Sequence, residues 1–385
     1  MSAAVCLHNA NILTGFSVMS KCAIYIKGSK IIDIYNEERF NQKKFPKDVK
    51  VIDVNGAYIL PGFIDTHIHG IGGYGTDDGN PNSILHMSET LAEYGVTSFI
   101  PTCMTAPEPQ LIKNISAIVE AMGQEKGAKI LGLHLEGPFI SPERIGAQAV
   151  SGLSKVDLSY MKRLLKAAKG KLINMTVAPE LKGMRELALY CVDKGIVLQA
   201  GHTDATYDQM MEGMQANIMH VTHLFNAMRP MHHREPGVVG ATLIHSELSC
   251  EIIGDGVHVN PNLVNLLLKC KPLSQIVMIT DALYPAKTDL SKTPDLYLDK
   301  CFYRKSDNVM NGSAISMLDG FRNLVSWGIP IEKAVRMSST NPAQIMKQPH
   351  IGLLVPGNDA DIIVLDKNLE LIYTIIKGNF VKGKI

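Results

Sequence analysis

Between residues 60 and 320 one pattern of apolar and polar positions recurs: a short apolar run, a polar residue at its end, then a stretch with helical spacing. The runs predict strands at 63–67, 96–102, 130–135, 173–178, 196–200, 219–223, 251–254 and 276–280. Apolar runs of this length do not by themselves separate strand from buried helix. The intervening segments do. In 154–169, Leu158, Met161, Leu164, Leu165 and Ala168 fall on one helical face. Strands that alternate with helices pair in parallel, because each crossover returns the chain to the same end of the sheet. Eight such units over about 260 residues match the size of a (β/α)8 barrel, an α/β fold. An open doubly wound sheet is the competitor. No G-x-G-x-x-G or G-x-x-x-x-G-K-[ST] loop follows an early strand, and polar residues gather at the strand ends, so the barrel is favoured.

The two ends of the chain read differently. Residues 1–60 carry short alternating runs at 23–27, 30–35 and 51–54 with a charged stretch at 37–50. Residues 350–385 carry runs at 361–365 and 371–376, punctuated by Gly352, Gly357 and Gly378. These predict short antiparallel strands. Because they flank the barrel on both sides, residues 1–59 and 345–385 are expected to meet as one small β domain beside a barrel of residues 60–344.

Composition narrows the class. Lys plus Arg is 38 and Asp plus Glu is 37, a formal net charge of +1, which argues against a nucleic-acid or membrane-surface protein. Hydrophobic residues make up 46%, enough for a sizeable core, yet no run nears the roughly 18 apolar residues of a membrane helix. The cysteines at 6, 22, 103, 191, 250, 270 and 301 are odd in number, scattered and without a C-x-x-C pair. Reduced thiols fit this better than a disulfide framework or a thiolate metal site. Residues 1–20 show no secretory pattern, so a soluble cytoplasmic protein is expected.

Candidate chemistry begins at Asp65-Thr66-His67-Ile68-His69. On a strand, residues two apart project to the same face, so His67 and His69 converge; on a helix they would diverge by about 200°. The alternative is a turn with two surface histidines. Further candidates end other strands: His134 and Glu136, His202, His220 and His223, and Asp281. Each alone is an ordinary hydrogen-bonded residue or, for Asp281, a helix cap. Together they lie where a barrel's C-terminal rim gathers catalytic groups. The donors are nitrogen and oxygen without cysteine, a set suited to Zn2+ or a similar divalent ion. Such a cluster supports hydrolysis, with a carboxylate to carry the proton, and Asp281 is the natural carrier.

The same residues carry a family resemblance. Pro61-Gly62-Phe63-Ile64-Asp65-Thr66-His67-Ile68-His69-Gly70 resembles the first-strand signature of the amidohydrolase superfamily. His134-Leu135-Glu136-Gly137-Pro138-Phe139 resembles its N-acetylglucosamine-6-phosphate deacetylase family, as do Gly201–Ala205, His223–Met228, Arg234–Gly237, Asp255–His258 and Thr280–Ala282. The matches keep family order over nearly the whole chain.

The resemblance implies a barrel with a small β-sandwich from both termini, in a homodimer. It implies hydrolysis of N-acetyl-D-glucosamine 6-phosphate to D-glucosamine 6-phosphate and acetate in amino-sugar catabolism. A metal-bound hydroxide would attack the acetamide carbon with Asp281 as general acid/base. Glu136, His202 and His223 would hold one divalent ion, and His67 and His69 a second, with Glu136 bridging. Zn2+ is the expected ion, with Fe2+, Mn2+ and Co2+ as alternatives. Ala147, Gln148, Asn226, Ala227, Arg234, His258 and, in a further loop, Met310, Asn311 and Gly312 match substrate contacts. An arginine suits a phosphate because its planar fork donates paired hydrogen bonds, and part of that site can come from the neighbouring subunit. Some members replace the first-strand histidines with Gln and Asn and use one metal; here both histidines are retained. Gln148 stands where part of the family has histidine, and an amide cannot become cationic, so carbonyl activation should depend more on metal.

Two other readings remain: an amidohydrolase acting on a different N-acyl sugar or cyclic amide, and a non-catalytic barrel, which would normally have lost metal ligands. His232 and His233 are adjacent and expected to point apart in a loop near Arg234. His245 and His350 are expected to be ordinary histidines, and Met210, Met211 and Met214 core filler.

Overall fold

The computed structural model describes residues 4–289, 293 and 295–383. Eight parallel strands form the central sheet. They are β1 (Phe63–Ile68), β2 (Val96–Cys103), β3 (Leu133–Glu136), β4 (Leu172–Val177), β5 (Val197–Ala200), β6 (Ile218–Val221), β7 (Ser249–Ile253) and β8 (Ile276–Ile279). Each pairs in parallel with the next from β1 through β8. The ring closes just beyond β8, where Asp281 N–H donates to the His67 carbonyl and His69 N–H to the Ala282 carbonyl, both at 2.9 Å. This is the (β/α)8 barrel that the apolar pattern predicts. The predicted strand at 130–135 is broken: Lys129–Ile130 pairs with β2, the chain steps out at Leu131 and Gly132, and β3 resumes the pairing.

Helices cover the outside. The segment predicted helical at 154–169 forms a helix over Leu158–Ala168. The Asp157 carboxylate caps it by accepting from Ser159 N–H, and Tyr160, Met161, Leu164 and Ala168 are buried. Leu158, expected on that apolar face, is the first residue of the helix and is exposed.

Alternation along the strands turns His134, Asn174, Thr176, Gln199, His220 and Glu251 into the barrel. Branched aliphatic side chains commonly fill such an interior. Here much of the filling is a hydrogen-bonded polar layer. His134 lies between the Thr102 and Thr176 hydroxyls at 3.1 and 2.8 Å, and Thr176 meets Thr222 at 2.9 Å.

The chain ends build a second, eight-stranded sheet. Its N-terminal strands are Ala4–Leu13, Val18–Lys27, Lys30–Tyr35, Val49–Asp53 and Tyr58–Pro61. Its C-terminal strands are Ile362–Leu365, Leu371–Ile376 and Asn379–Lys382. The expectation of antiparallel pairing holds for most of it but fails at its centre. Ala4–Leu13 pairs in parallel with Val49–Asp53 along its first half and with Tyr58–Pro61 near its end. Register shifts bend this long strand, so it serves both layers of a β-sandwich closed on Leu7, Ile12, Ile24, Ile26, Ile59 and Ile362. A short helix, Glu37–Gln42, occupies the charged stretch. Tyr58–Pro61 pairs with Ile362–Leu365 and leads directly into β1, so the sandwich holds the start of the barrel. Lys129, on the barrel side, makes ion pairs with Asp359 at 3.2 Å and with the buried Asp361.

All seven cysteines are unpaired, and six are buried. Among the described residues no helix is long and apolar enough to cross a membrane.

Candidate metal and substrate site

Six side chains from five strand ends converge at one mouth of the barrel. Glu136, His202 and His223 form one group of buried donors, and His67, His69 and Asp281 form another. Glu136 joins them: its Oε1 lies 3.0 Å from Nε2 of both His202 and His223 and 3.5 Å from His67 Nε2, and its Oε2 lies 3.2 Å from His69 Nε2. Asp281 Oδ1 is 3.2 Å from His69 Nε2 and 3.6 Å from His67 Nε2.

Which ring nitrogen faces the centre follows from what holds the other one. His69 Nδ1 meets the Thr102 carbonyl at 3.0 Å, and His202 Nδ1 meets the Arg144 carbonyl at 3.1 Å. His67 Nδ1 meets a Glu251 carboxylate oxygen at 3.0 Å. Carbonyls and carboxylates only accept, so each of these rings donates from Nδ1 and turns Nε2 inward. The Nε2 atoms of His202 and His223 lie 3.2 Å apart, and buried His67 Nε2 has no hydrogen-bond partner. Ring nitrogens and carboxylate oxygens aimed at shared points are the donor set a divalent cation takes, once the ring protons are released.

The backbone is bent to achieve this. His202, His223 and Asp281 have φ of 47°, 25° and 50°. The left-handed region is uphill by roughly 1–2 kcal/mol for a residue with a Cβ, and each bend swings a side chain from its strand end across the mouth. Strain gathered on site residues is typical of functional centres.

Electrostatics match the geometry. Burial opposes ionisation of Glu136, yet the charges of His67 and His202 outweigh it and hold the carboxyl well below its usual range. Asp281 is likewise held low by His67 and His69 against burial. Burial lowers His69, but its hydrogen bonds to Asp281 and Glu136 win and raise it to about 9. His134 is pushed well below its usual value by burial and by the charge of His67. It stays neutral inside the polar layer.

Above the six donors opens a chamber of about 260 Å³. Its wall includes His69, Glu136, His202, His223 and Asp281 together with Ala147, Gln148, Asn226, Ala227, His258, Met310, Asn311 and Gly312. Every sequence-predicted site residue is thus on this wall except two. His67 lies beneath it, and Arg234 is exposed outside it. Gln148 bridges two elements: its Oε1 accepts from Thr105 N–H at 2.7 Å, and its Nε2 reaches Glu136 Oε2 at 2.5 Å. His258 is braced by Asp255 through a 2.6 Å contact at Nδ1. Gly312, with φ +68°, lets the third loop pass close over the site, where a Cβ would come within 2.7 Å of the Asp281 carbonyl oxygen.

Other candidates fall elsewhere. His134 and His220 point into the barrel below the mouth and belong to neither donor group. His232 and His233 do not point apart: a tight turn sets their rings 4.2 Å apart, and His233 accepts from Arg234 Nε at 3.1 Å. His245 bonds the Tyr207 hydroxyl at 2.7 Å. His350 is exposed and Met210 is buried. Sequence reasoning missed Met104, Gly146 and Val309 on the wall, and Glu251 beneath it. For Glu251 a signal existed: a charged residue at an inward position of an otherwise apolar strand.

The amidohydrolase family model matches residues 58–381. The chain is 32% identical to the N-acetylglucosamine-6-phosphate deacetylase of Bacillus subtilis, over 98% of this chain and 97% of that protein. It is 33% identical to the enzyme of the same name from Lysinibacillus sphaericus, over 92% of each. Among solved structures, a mutant N-acetyl-D-glucosamine-6-phosphate deacetylase from Mycobacterium smegmatis, in complex with N-acetyl-D-glucosamine-6-phosphate, superposes with a TM-score of 0.89. The two are 28% identical, with 98% of this chain and 99% of that one covered. The barrel, the paired donor groups at its mouth and these likenesses agree that the chain belongs to the amidohydrolase family.

Proposed function

We propose that the protein hydrolyses N-acetyl-D-glucosamine 6-phosphate to D-glucosamine 6-phosphate and acetate, in amino-sugar catabolism, using divalent metal. The observation that carries this reading is Glu136. One buried carboxylate lies between two donor groups on the floor of a chamber, within 3.0–3.5 Å of histidines of both, and the likenesses to deacetylases extend over nearly the full chain.

The residues suit the metal. His67 Nε2 is buried with no hydrogen-bond partner, and all six donors are nitrogen or oxygen. Glu136, His202 and His223 would hold one ion, and His67, His69 and Asp281, with Glu136 bridging, a second. Zn2+ is the ion we assign. A bound divalent ion polarises a carbonyl and lowers the pKa of a water.

The rest of the chemistry belongs to the chain. Asp281 Oδ1 is ionised and faces the chamber. It takes the proton from the water that adds to the acetamide carbon, then delivers it to the sugar nitrogen as the C–N bond breaks. The Gln148 amide, fixed by Thr105, presents its N–H beside Glu136 and orients the acetamide. Asn226, Ala227, His258 and the Met310–Gly312 loop enclose the sugar and exclude water. Among the described residues that line the chamber there is no Lys or Arg, whereas Arg234 is exposed outside it. A phosphate anchored by Arg234 therefore fits a homodimer in which this arginine reaches the neighbouring chamber. A barrel of residues 60–344, a sandwich of 1–59 with 345–385 and a cytoplasmic location complete the reading.

Removal and return of metal test it. Chelated protein should release no free amine from N-acetylglucosamine 6-phosphate, and Zn2+ should restore release. Full activity in protein shown to be metal-free would contradict the proposal.

A further inference from the structure

We infer that Glu251 is a positioning residue for the His67–His69–Asp281 group, and that it ties this group mechanically to the Glu136–His202–His223 group. The inference rests on the two-cation reading above.

Glu251 is fully buried on β7, inside the barrel and outside both donor groups. Donors approach it from several sides. Its Oε2 lies 3.0 Å from His67 Nδ1 and accepts the backbone N–H of His223 at 3.2 Å. Its Oε1 accepts from Gln199 Nε2 at 3.3 Å and faces His220 Nε2 at 3.5 Å.

This arrangement has two consequences. First, a carboxylate has only acceptor sites, so the His67 ring donates from Nδ1 and turns Nε2 towards the other donors. Of the four mouth histidines, His67 alone has a carboxylate behind it; His69 and His202 have backbone carbonyls, and His223 Nδ1 has no partner. A carboxylate behind a ligating imidazole fixes its orientation and strengthens it as a ligand, and losing such a partner commonly lowers metal affinity about 10–100-fold. Second, the same oxygen that orients His67 also holds the backbone of His223, at the sharply bent residue with φ 25°. A single carboxylate thus fixes one member of each group.

The amide in Glu251→Gln has nearly the same shape, but its NH2 must face either His67 Nδ1 and the His223 N–H or the Gln199 amide, each of which presents donors. Metal content per chain and Zn2+ affinity, by elemental analysis and chelator competition, provide the measurement, together with amine release and melting of the metal-free proteins. The wild type should bind two ions. Glu251→Gln should bind the ion of the His67–His69–Asp281 group about 10–100-fold more weakly, and the ion of the Glu136–His202–His223 group more weakly by a smaller factor. Glu251→Asp, which restores the charge, should recover part of the loss. Two ions bound equally tightly by Glu251→Gln would overturn the inference. So would equal weakening of both ions with a collapsed melting temperature, which would make Glu251 a general prop of the barrel. A wild type that binds a single ion yet releases amine would overturn this inference while leaving the deacetylase reading intact.

Discussion

Replacing Asp281 with asparagine tests the proton carrier most sharply. The amide keeps the shape of the side chain and an oxygen that can lie 3.2 Å from His69 Nε2, as Oδ1 does. What it loses is the capacity to accept a proton. General acid–base groups contribute about 10²–10⁴-fold in rate, equivalent to roughly 2.7–5.4 kcal/mol of barrier. Asp281 belongs only to the His67–His69 group, so Glu136, His202 and His223 keep their mutual geometry. The chamber-lining residues Asn226, Ala227 and His258 are also untouched. Turnover of Asp281→Asn should therefore fall by about 10²–10⁴-fold while KM moves by about threefold or less. The assay is initial-rate amine release across a substrate range, with metal per chain measured on the same samples. A variant that holds its metal and turns over within tenfold of wild type would refute the assignment.

Three other outcomes follow from the same geometry. Lys129→Met leaves buried Asp361 without its ion pair where the sandwich meets the barrel, and breaking such a pair costs about 3–5 kcal/mol; urea unfolding reads the loss. Arg234→Ala should raise KM for the phosphorylated sugar about tenfold or more, as expected for losing a charged hydrogen bond. Turnover of an unphosphorylated analogue should be unaffected by that change. Finally, His69 in the metal-free chain is raised to about 9, because Asp281 and Glu136 outweigh its burial. At pH 7 its imidazole is therefore protonated, so metal uptake must release a proton. Affinity should fall as pH drops, and release should fade as pH rises past about 9. Calorimetry in two buffers of different ionisation enthalpy measures the released protons.

β8 stands close to its expected bounds because Ile276–Ile279 is apolar on both faces, as buried parallel strands commonly are. β1 and β2 also do, although Asp65, Thr66 and His67 interrupt the first and Thr97, Ser98 and Thr102 the second. The strand Ala4–Leu13 was hidden by His8 and Asn9 in its middle. There the register shifts and Asn9 adopts φ 57°, so neither simple alternation nor a continuous run describes it. Its parallel pairing spans a gap of more than forty residues to Val49–Asp53, which no local signal records.

At the site, spacing gave direction but not depth. His134 and Glu136 lie two apart and share a face, yet only Glu136 reaches the mouth. A step of two residues along a strand is about 6.6 Å, enough to separate a donor at the rim from a residue of the interior. His220 is lost from the mouth for the same reason. Glu251 stood out as a charge in an apolar strand, but its role was illegible because it depends on His67, 184 residues away across the barrel. His202, His223 and Asp281 were legible because each sits just past a strand end, where the chain bends the side chain inward.

The most direct measurement compares kcat/KM for amine release from N-acetylglucosamine 6-phosphate and from unphosphorylated N-acetylglucosamine, on Zn2+-loaded protein. The account predicts a preference of about 100-fold or more for the phosphorylated sugar, roughly 2.7 kcal/mol of phosphate recognition. Equal values for the two sugars, or no amine from either, would contradict it.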